Sequence, residues 1–250
     1  MRRRAERGVE AIVLAGGLGM RLRAVVSGLP KPMAPVAGRP FLEHLLEYWI
    51  GQGVRRFILS VGYKAESVMA RFGERYGGAA IDYATEPSPL GTGGGLLLAL
   101  ARAGSAQILV LNGDTFFAVP LAELAAFHAA RGADCSIALF RSEDAERYLG
   151  VRRGAHARIL ALGHKPRGEG ALANGGVYLL RAAALRAAPW QAGDRLSLEA
   201  DLLPWGLANG WRLYGARFDR AFIDIGIPED YRRAAALMRP WTAVPRRRRA

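Results

Sequence analysis

Four features have the residue types and spacing to do chemistry: a glycine-rich loop, a lysine between prolines, and two aspartates. The apolar segment EAIVLA (10–15) runs into Leu14-Ala15-Gly16-Gly17-Leu18-Gly19-Met20-Arg21-Leu22. Glycines there let backbone N–H groups approach an anion, and Arg21 adds charge, so the loop suits a phosphate. A tight strand-to-helix turn is the plainer use of the same residues. Two common phosphate loops are excluded. No Gly-Lys-Ser/Thr follows, as a P-loop needs, and a dinucleotide fingerprint starting at Gly17 would require glycine where Leu22 stands. Beyond Leu22, Lys31 sits between Pro30 and Pro32. Their fixed φ angles make it a rigidly held cation, with a surface salt bridge as the alternative. Asp114 closes Asn112-Gly113-Asp114 after QILVL (107–111), and Asp224 follows Ala221-Phe222-Ile223. An acid at the carboxyl end of a parallel strand lies where such sheets bind ligands. Mg²⁺ is held by one or two carboxylates plus substrate phosphates. Each aspartate alone serves equally as a turn or cap residue.

Other chemistries find no support. His44, His128, His156 and His164 share no ligand spacing, and His44 and His128 fall within helical patterns as structural residues. The single cysteine, Cys135, lies in the apolar DCSIALF and reads as a buried thiol rather than a nucleophile. The chain carries 35 basic residues against 22 acidic ones, a net charge of +13. Much of the excess is terminal, at Arg2, Arg3, Arg4, Arg7 and Arg246 to Arg249, where solvated tails are expected. No aromatic-basic recognition motif accompanies it, so a nucleic-acid partner is not expected, whereas basic charge suits an enzyme of polyphosphates. No apolar run reaches the roughly 18 residues of a membrane span, and the start lacks a signal-peptide pattern; a cytoplasmic protein is expected.

Elements to position these residues alternate through the first half. Strands are expected over 10–15, 55–61, 80–85, 107–111 and 134–140, with helices over 41–50, 65–76, 93–103 and 121–132. Such alternation predicts a parallel sheet with helices on both faces. The second half reads as short strands, YLGVRR, ARILAL, NGGVYLL, WRLYGARF and AFIDI, with helices over 198–208 and from Ile227. The expected fold class is α/β, a Rossmann-like doubly wound mixed sheet with a smaller, substrate-binding lobe. One domain over 9–239 is expected, divided near residue 140, with basic tails at 1–8 and 240–250.

LAGGxGxRL followed by PKPM resembles the signature of the sugar-1-phosphate nucleotidyltransferase family, and the likeness spans about 10–238. It implies that the loop, through Gly16, Gly17 and Gly19, wraps a nucleoside triphosphate whose phosphates Arg21 and Lys31 contact. It implies that Asp114 and Asp224 are ligands of a Mg²⁺ cofactor, and that Arg21, Lys31 and Asp114 carry catalysis. EPSPLGTGG resembles the segment that lies against base and ribose, which gives Glu86, Gly91 and Thr92 that role beside Leu14 and Ala15. Lys165 matches the lysine that grips the sugar phosphate. Asn174 and Gly176 in NGGVY, and Glu199 in SLEADLLP, match the sugar side, while Asp201 stays a helix-start acid. Two departures stand out: Met20 replaces a usual threonine or serine, and His164 a usual glutamate. Within the family the likeness is nearest to members that use GTP and a D-glycero-D-manno-heptose 1-phosphate. Mannose 1-phosphate with GTP and N-acetylmuramate 1-phosphate with UTP are the alternatives. Outside enzymes, a catalytically inactive sensor of the same fold is the rival, and a homo-oligomer fits either. The implied reaction is an in-line attack of a sugar-phosphate oxygen on the α-phosphorus. It needs positioning and charge neutralisation rather than a general base.

Overall fold

A computed structural model describes residues 9–17, 22, 26, 28–142, 148–164 and 171–242. The expectations for residues 1–8 and 243–250 and for Gly19, Met20, Arg21 and Lys165 lie outside the described residues, as does the side chain of His164; residues 240–242, expected in the C-terminal tail, instead belong to the last helix.

The centre is a set of parallel strands: β1 (Glu10–Leu14), β4 (Arg56–Val61), β6 (Ala79–Thr85) and β7 (Gln107–Asn112). β1 lies between β4 and β7, so its near-continuous apolar run is buried on both faces, as inner parallel strands require. Ala11 and Val13 face one hydrophobic core and Ile12 the other, the period-two alternation of a strand. Helices α1 (Phe41–Gly51), α2 (Ala65–Phe72), α4 (Leu121–Ala130) and α7 (Pro228–Thr242) contribute to the first core. Helices α3 (Gly91–Leu100), α5 (Ala182–Arg186) and α6 (Leu203–Ala208) contribute to the second.

Strands of the second half extend this same sheet. β12 (Ala171–Arg181) runs antiparallel to β7, and β9 (Cys135–Ser142) antiparallel to β12. β13 (Leu213–Arg217) continues parallel to β9, while β10 (Gly150–Arg153) and β11 (Ile159–His164) form the far edge. Ten strands thus join one sheet among the described residues, with the doubly wound mixed character expected.

Several details differ from expectation. The helix expected over 65–76 stops at Phe72, because Gly73 turns out of it at φ 55°. Arg75–Tyr76 (β5) then pairs with Ala79–Ala80 across Gly77-Gly78. Both glycines have positive φ, the backbone that a two-residue hairpin turn demands. A hairpin of β2 (Pro35–Val36) with β3 (Arg39–Pro40) precedes α1, and β8 (Thr115–Phe117) pairs with β14 (Phe222–Asp224). β14 is the strand expected in AFIDI, whereas β2, β3, β5 and β8 are too short to show periodicity. Residues 198–202 form one π-helical turn ahead of α6, capped by Ser197, whose Oγ accepts from Glu199 N–H and Ala200 N–H. Cys135 is buried and free, and burial pushes its thiol up, so it is inert. Among the described residues, no helix is long and apolar enough to cross a membrane.

The two helical histidines are structural. His44 Nε2 lies 2.8 Å from the Val36 carbonyl, and His128 Nδ1 lies 2.9 Å from Ser136 Oγ, both buried. Burial, with Arg181 adding, lowers the His128 pKa from 6.5 to about 4. Between those values the unfolded chain takes up a proton that the fold refuses, so stability falls as pH drops from 6.5 to 4. At about 1.4 kcal/mol per unit, His128 accounts for up to roughly 3 kcal/mol of that loss. Denaturant melts of wild type and His128→Gln at pH 7, 5.5 and 4.5 should therefore show a flatter pH dependence in the variant. Parallel profiles would exclude His128 as the source.

Candidate active site

Register brings the loops together. Leu14 pairs with Ser60 on one side and with Asn112 on the other, so β1, β4 and β7 end level. Main-chain bonds continue the ladder into the loops: Ala15 N–H donates to Ser60 C=O at 2.8 Å and Gly113 N–H to Leu14 C=O at 2.9 Å. Glu86 N–H donates to Val61 C=O at 2.8 Å, which brings in the segment after β6. At this carboxyl edge lies a cavity of about 310 Å³, the scale of a small-ligand site. Leu14, Ala15, Gly16, Gly17, Lys31, Glu86, Gly91, Thr92 and Asp114 all line it, so nine sequence candidates meet there. Pro32, Pro89 and Asn112 line it too; sequence reasoning passed over them, although each stands inside a quoted motif.

The acidic pair is built by the β8–β14 ladder. Asp224 pairs with Thr115, next in sequence to Asp114, and Ile225 N–H donates to Asp114 C=O at 3.0 Å. Two aspartates remote in sequence thereby converge. Lys31 lies between them, its Nζ 2.5 Å from Asp114 Oδ2 and 3.4 Å from Asp224 Oδ1. The 3-10 turn Lys31–Met33, with Pro30 at its N-cap, carries this lysine, and its side chain is only 14% exposed. Gly226 N–H donates to Asp224 Oδ1 at 2.6 Å and fixes that carboxylate. Lys31 therefore bridges the two acids.

Glu86 is similarly committed. Its Oε1 accepts from Ser60 Oγ at 3.0 Å and its Oε2 from Leu90 N–H at 3.1 Å. Gly16 lies against this carboxylate, and a Cβ there would come within 2.1 Å of Glu86 Oε1. Gly91 has φ 77°, and a Cβ on it would meet the Leu196 carbonyl at 2.6 Å. Its close neighbour is thus residues 194–198: Leu196 C=O accepts from Gly93 N–H and Gly94 N–H, and Leu196 N–H donates to Leu90 C=O.

The sugar-side candidates form a second, adjoining group. Thr92 Oγ1 donates to Glu199 Oε2 at 2.6 Å and accepts from Leu198 N–H at 2.9 Å. Asn174 Oδ1 accepts from Gly176 N–H at 3.0 Å, and Gly176 packs on Asn112, whose Nδ2 a Cβ would approach to 2.9 Å. Tyr178, the last residue of the NGGVY motif and given no role of its own from the sequence, bonds both Asn174 and Glu199. Asp201 Oδ2 accepts from Ser197 N–H at 2.7 Å at the start of the helical turn, as its helix-start reading expects.

This fold and edge site define a class. The Nucleotidyl transferase family model matches residues 10–239, and the chain belongs to that family of enzymes. It is 41% identical to D-glycero-alpha-D-manno-heptose 1-phosphate guanylyltransferase of Aneurinibacillus thermoaerophilus, over 90% of this chain and 96% of the relative. It is 35% identical to the mannose-1-phosphate guanylyltransferase of Mycobacterium tuberculosis, over 91% of this chain and 64% of that protein. The crystal structure of HddC from Yersinia pseudotuberculosis complexed with GMP-PN superposes with a TM-score of 0.79 at 32% identity, covering 91% of this chain and 98% of that one.

The contact of Gly16 with Glu86 is directly testable. Gly16→Ala should destabilise the protein by about 1–3 kcal/mol, the usual range for overpacking. Adding Glu86→Ala should give some of that stability back, because the clashing oxygen is gone. Thermal melts of the wild type, both single variants and the double variant measure this; strictly additive losses would show that the two residues do not press on each other.

Proposed function

We propose that this chain transfers GMP from GTP to a sugar 1-phosphate, with D-glycero-D-manno-heptose 1-phosphate as the preferred acceptor, and releases pyrophosphate. The observation that carries the reading is one cavity in which a glycine-rich strand end, the Glu86–Thr92 segment, Lys31 and Asp114 meet, with Asp224 beside that lysine. The choice of GTP and heptose rests on the likeness to heptose 1-phosphate guanylyltransferases. Mannose 1-phosphate is the second acceptor, from the similarity to mannose-1-phosphate guanylyltransferases. A cytoplasmic setting goes with this reading.

Each group then has a task. Backbone N–H groups of Gly16 and Gly17 and the side chains of Arg21 and Lys31 hold the triphosphate. Lys165, Asn174, Gly176 and Glu199 hold the sugar phosphate. Glu86 is already fixed by Ser60 and Leu90, and each of its oxygens keeps acceptor capacity for the guanine N1–H and amino group. An anionic oxygen of the sugar phosphate attacks the α-phosphorus, and the P–O bond to pyrophosphate breaks. The attacking oxygen carries no proton, so no residue has to remove one. Catalysis is alignment plus neutralisation of charge.

Asp114 and Asp224 suit a divalent cation. Both offer carboxylate oxygens to a single positive centre, where the Lys31 ammonium stands. Hard oxygen donors in that number match Mg²⁺, which takes its remaining ligands from substrate phosphates and water. When bound there it would neutralise phosphate charge.

Pyrophosphate release, measured for GTP, UTP, CTP and dTTP against heptose, mannose and N-acetylmuramate 1-phosphates, tests the assignment. GTP with the heptose should lead in kcat/KM, and a faster pair with another base would overturn the guanylyl reading. In the same assay Asp114→Ala and Asp224→Ala should each lose several orders of magnitude while remaining folded.

The metal reading has a readout apart from turnover. Lys31→Met removes the ammonium that lies between the two carboxylates, which lowers Tm in a chelator. Millimolar Mg²⁺ or Mn²⁺ should raise the Tm of that variant more than that of the wild type. Equal responses of the two proteins would separate the acidic pair from metal binding.

A further inference from the structure

Tyr178 lies on β12 at 0% relative exposure, in the core that covers one face of the sheet. Its hydroxyl is the polar exception in that setting. The hydroxyl donates to Glu199 Oε1 at 3.0 Å and accepts from Asn174 Nδ2 at 2.7 Å. One buried oxygen thus joins two residues that otherwise belong to separate segments. The other carboxylate oxygen, Glu199 Oε2, takes the hydroxyls of Thr92 at 2.6 Å and Ser197 at 3.2 Å. A glutamate has three rotatable bonds and is ordinarily loose at a surface; this one is held by hydroxyls from three parts of the chain.

The hydrogen-bond inventory leaves capacity for a ligand. A carboxylate has about four acceptor positions, and among the described residues three are taken on Glu199 by Tyr178, Thr92 and Ser197. The free position is on Oε1, the oxygen that Tyr178 holds. An amide nitrogen has two protons, and Asn174 Nδ2 gives one to Tyr178. An acceptor on Glu199 and a donor on Asn174, spaced by one shared hydroxyl, match two neighbouring hydroxyls of a sugar ring. Burial first, and the negative charge of Glu199 second, push the Tyr178 phenol well above its ordinary pKa. It therefore keeps its proton, and the donor direction toward Glu199 stays fixed.

We propose that Tyr178 is a positioning residue for the acceptor sugar: through its hydroxyl it sets Glu199 and Asn174 in the orientation that reads adjacent sugar hydroxyls. This rests on the reading of the chain as a sugar-1-phosphate nucleotidyltransferase. A phenylalanine would fill the same volume and pack equally well, so the hydroxyl alone carries the effect.

Steady-state kinetics of Tyr178→Phe, with GTP and the best acceptor of the wild type, tests it. The KM for the sugar 1-phosphate should rise about tenfold, the effect of losing one hydrogen bond to a charged group, while the KM for GTP changes less than about twofold. Discrimination against a deoxy sugar 1-phosphate that lacks one of the paired hydroxyls should shrink in the variant. Calorimetric Kd values for the acceptor provide a second measure: Tyr178→Phe should add little further loss in a Glu199→Ala background, since it acts through that residue. A sugar KM unchanged, equal rises in both KM values, or fully additive losses would overturn the role of Tyr178. A wild type inactive with every sugar 1-phosphate would instead overturn the functional reading and this proposal with it.

Discussion

The site depends on the level ending of three parallel strands. Leu14, Ser60 and Asn112 share one register, and main-chain bonds carry that register past the strand ends into Ala15, Gly113 and Glu86. Loops fixed in this way need no side chain to set their spacing, so every side chain at the edge is free for a ligand or for its neighbours. The cost is steric. Backbones this close exclude a Cβ: one on Gly113 would lie 2.7 Å from the Leu14 carbonyl, and one on Gly62 3.0 Å from that of Gly16. The glycines are therefore a consequence of the register as much as of any phosphate.

Electrostatics is arranged on top of that frame. Asp114 belongs to the end of β7, but Asp224 reaches it through β14, which is held to the body by aromatic packing. Phe222 stacks on Phe140 at 3.7 Å between centroids and meets Phe117 edge-on at 5.6 Å. Hydrophobic burial thereby supplies the force that keeps two like charges close. Lys31 offsets their repulsion, and it comes from a third segment that Tyr231 helps to hold, its hydroxyl donating to the Pro35 carbonyl at 2.5 Å. A charge cluster of this kind responds to whatever cation or anion arrives, because each member already has a partner to exchange.

The two candidate substrate sides are mechanically joined. Residues 90–94 and 194–199 are tied by backbone bonds through Leu90 and Leu196 and by the Thr92 hydroxyl on Glu199. The helix α3, with four glycines in its first five residues, has poor intrinsic propensity; it persists because those glycines admit the 194–198 backbone and Glu86 at contact distance. A shift in the segment beside the glycine-rich loop is thus transmitted to the carboxylate on the sugar side.

Sequence alone determined what periodicity and local chemistry determine. Long apolar runs such as EAIVL and QILVL could only be inner strands, the amphipathic stretch from Phe41 could only be a helix, and the Gly-rich strand end marked the binding edge. The motif words also carried most of the cavity-lining residues. Tertiary structure decided the rest. The strand in AFIDI was legible, but its partner β8 gives no repeat to read, and it is their pairing that sets Asp224 beside Asp114. Lys31 stood out as a placed cation, but its partners lie 83 and 193 residues away. Tyr178 sat in plain sight in a strand motif, and its hydroxyl acquires meaning only through Glu199, 21 residues further on. Local sequence encodes propensity and pattern within one element, whereas the pairing of remote charges and hydroxyls is set by which elements the packed core holds side by side.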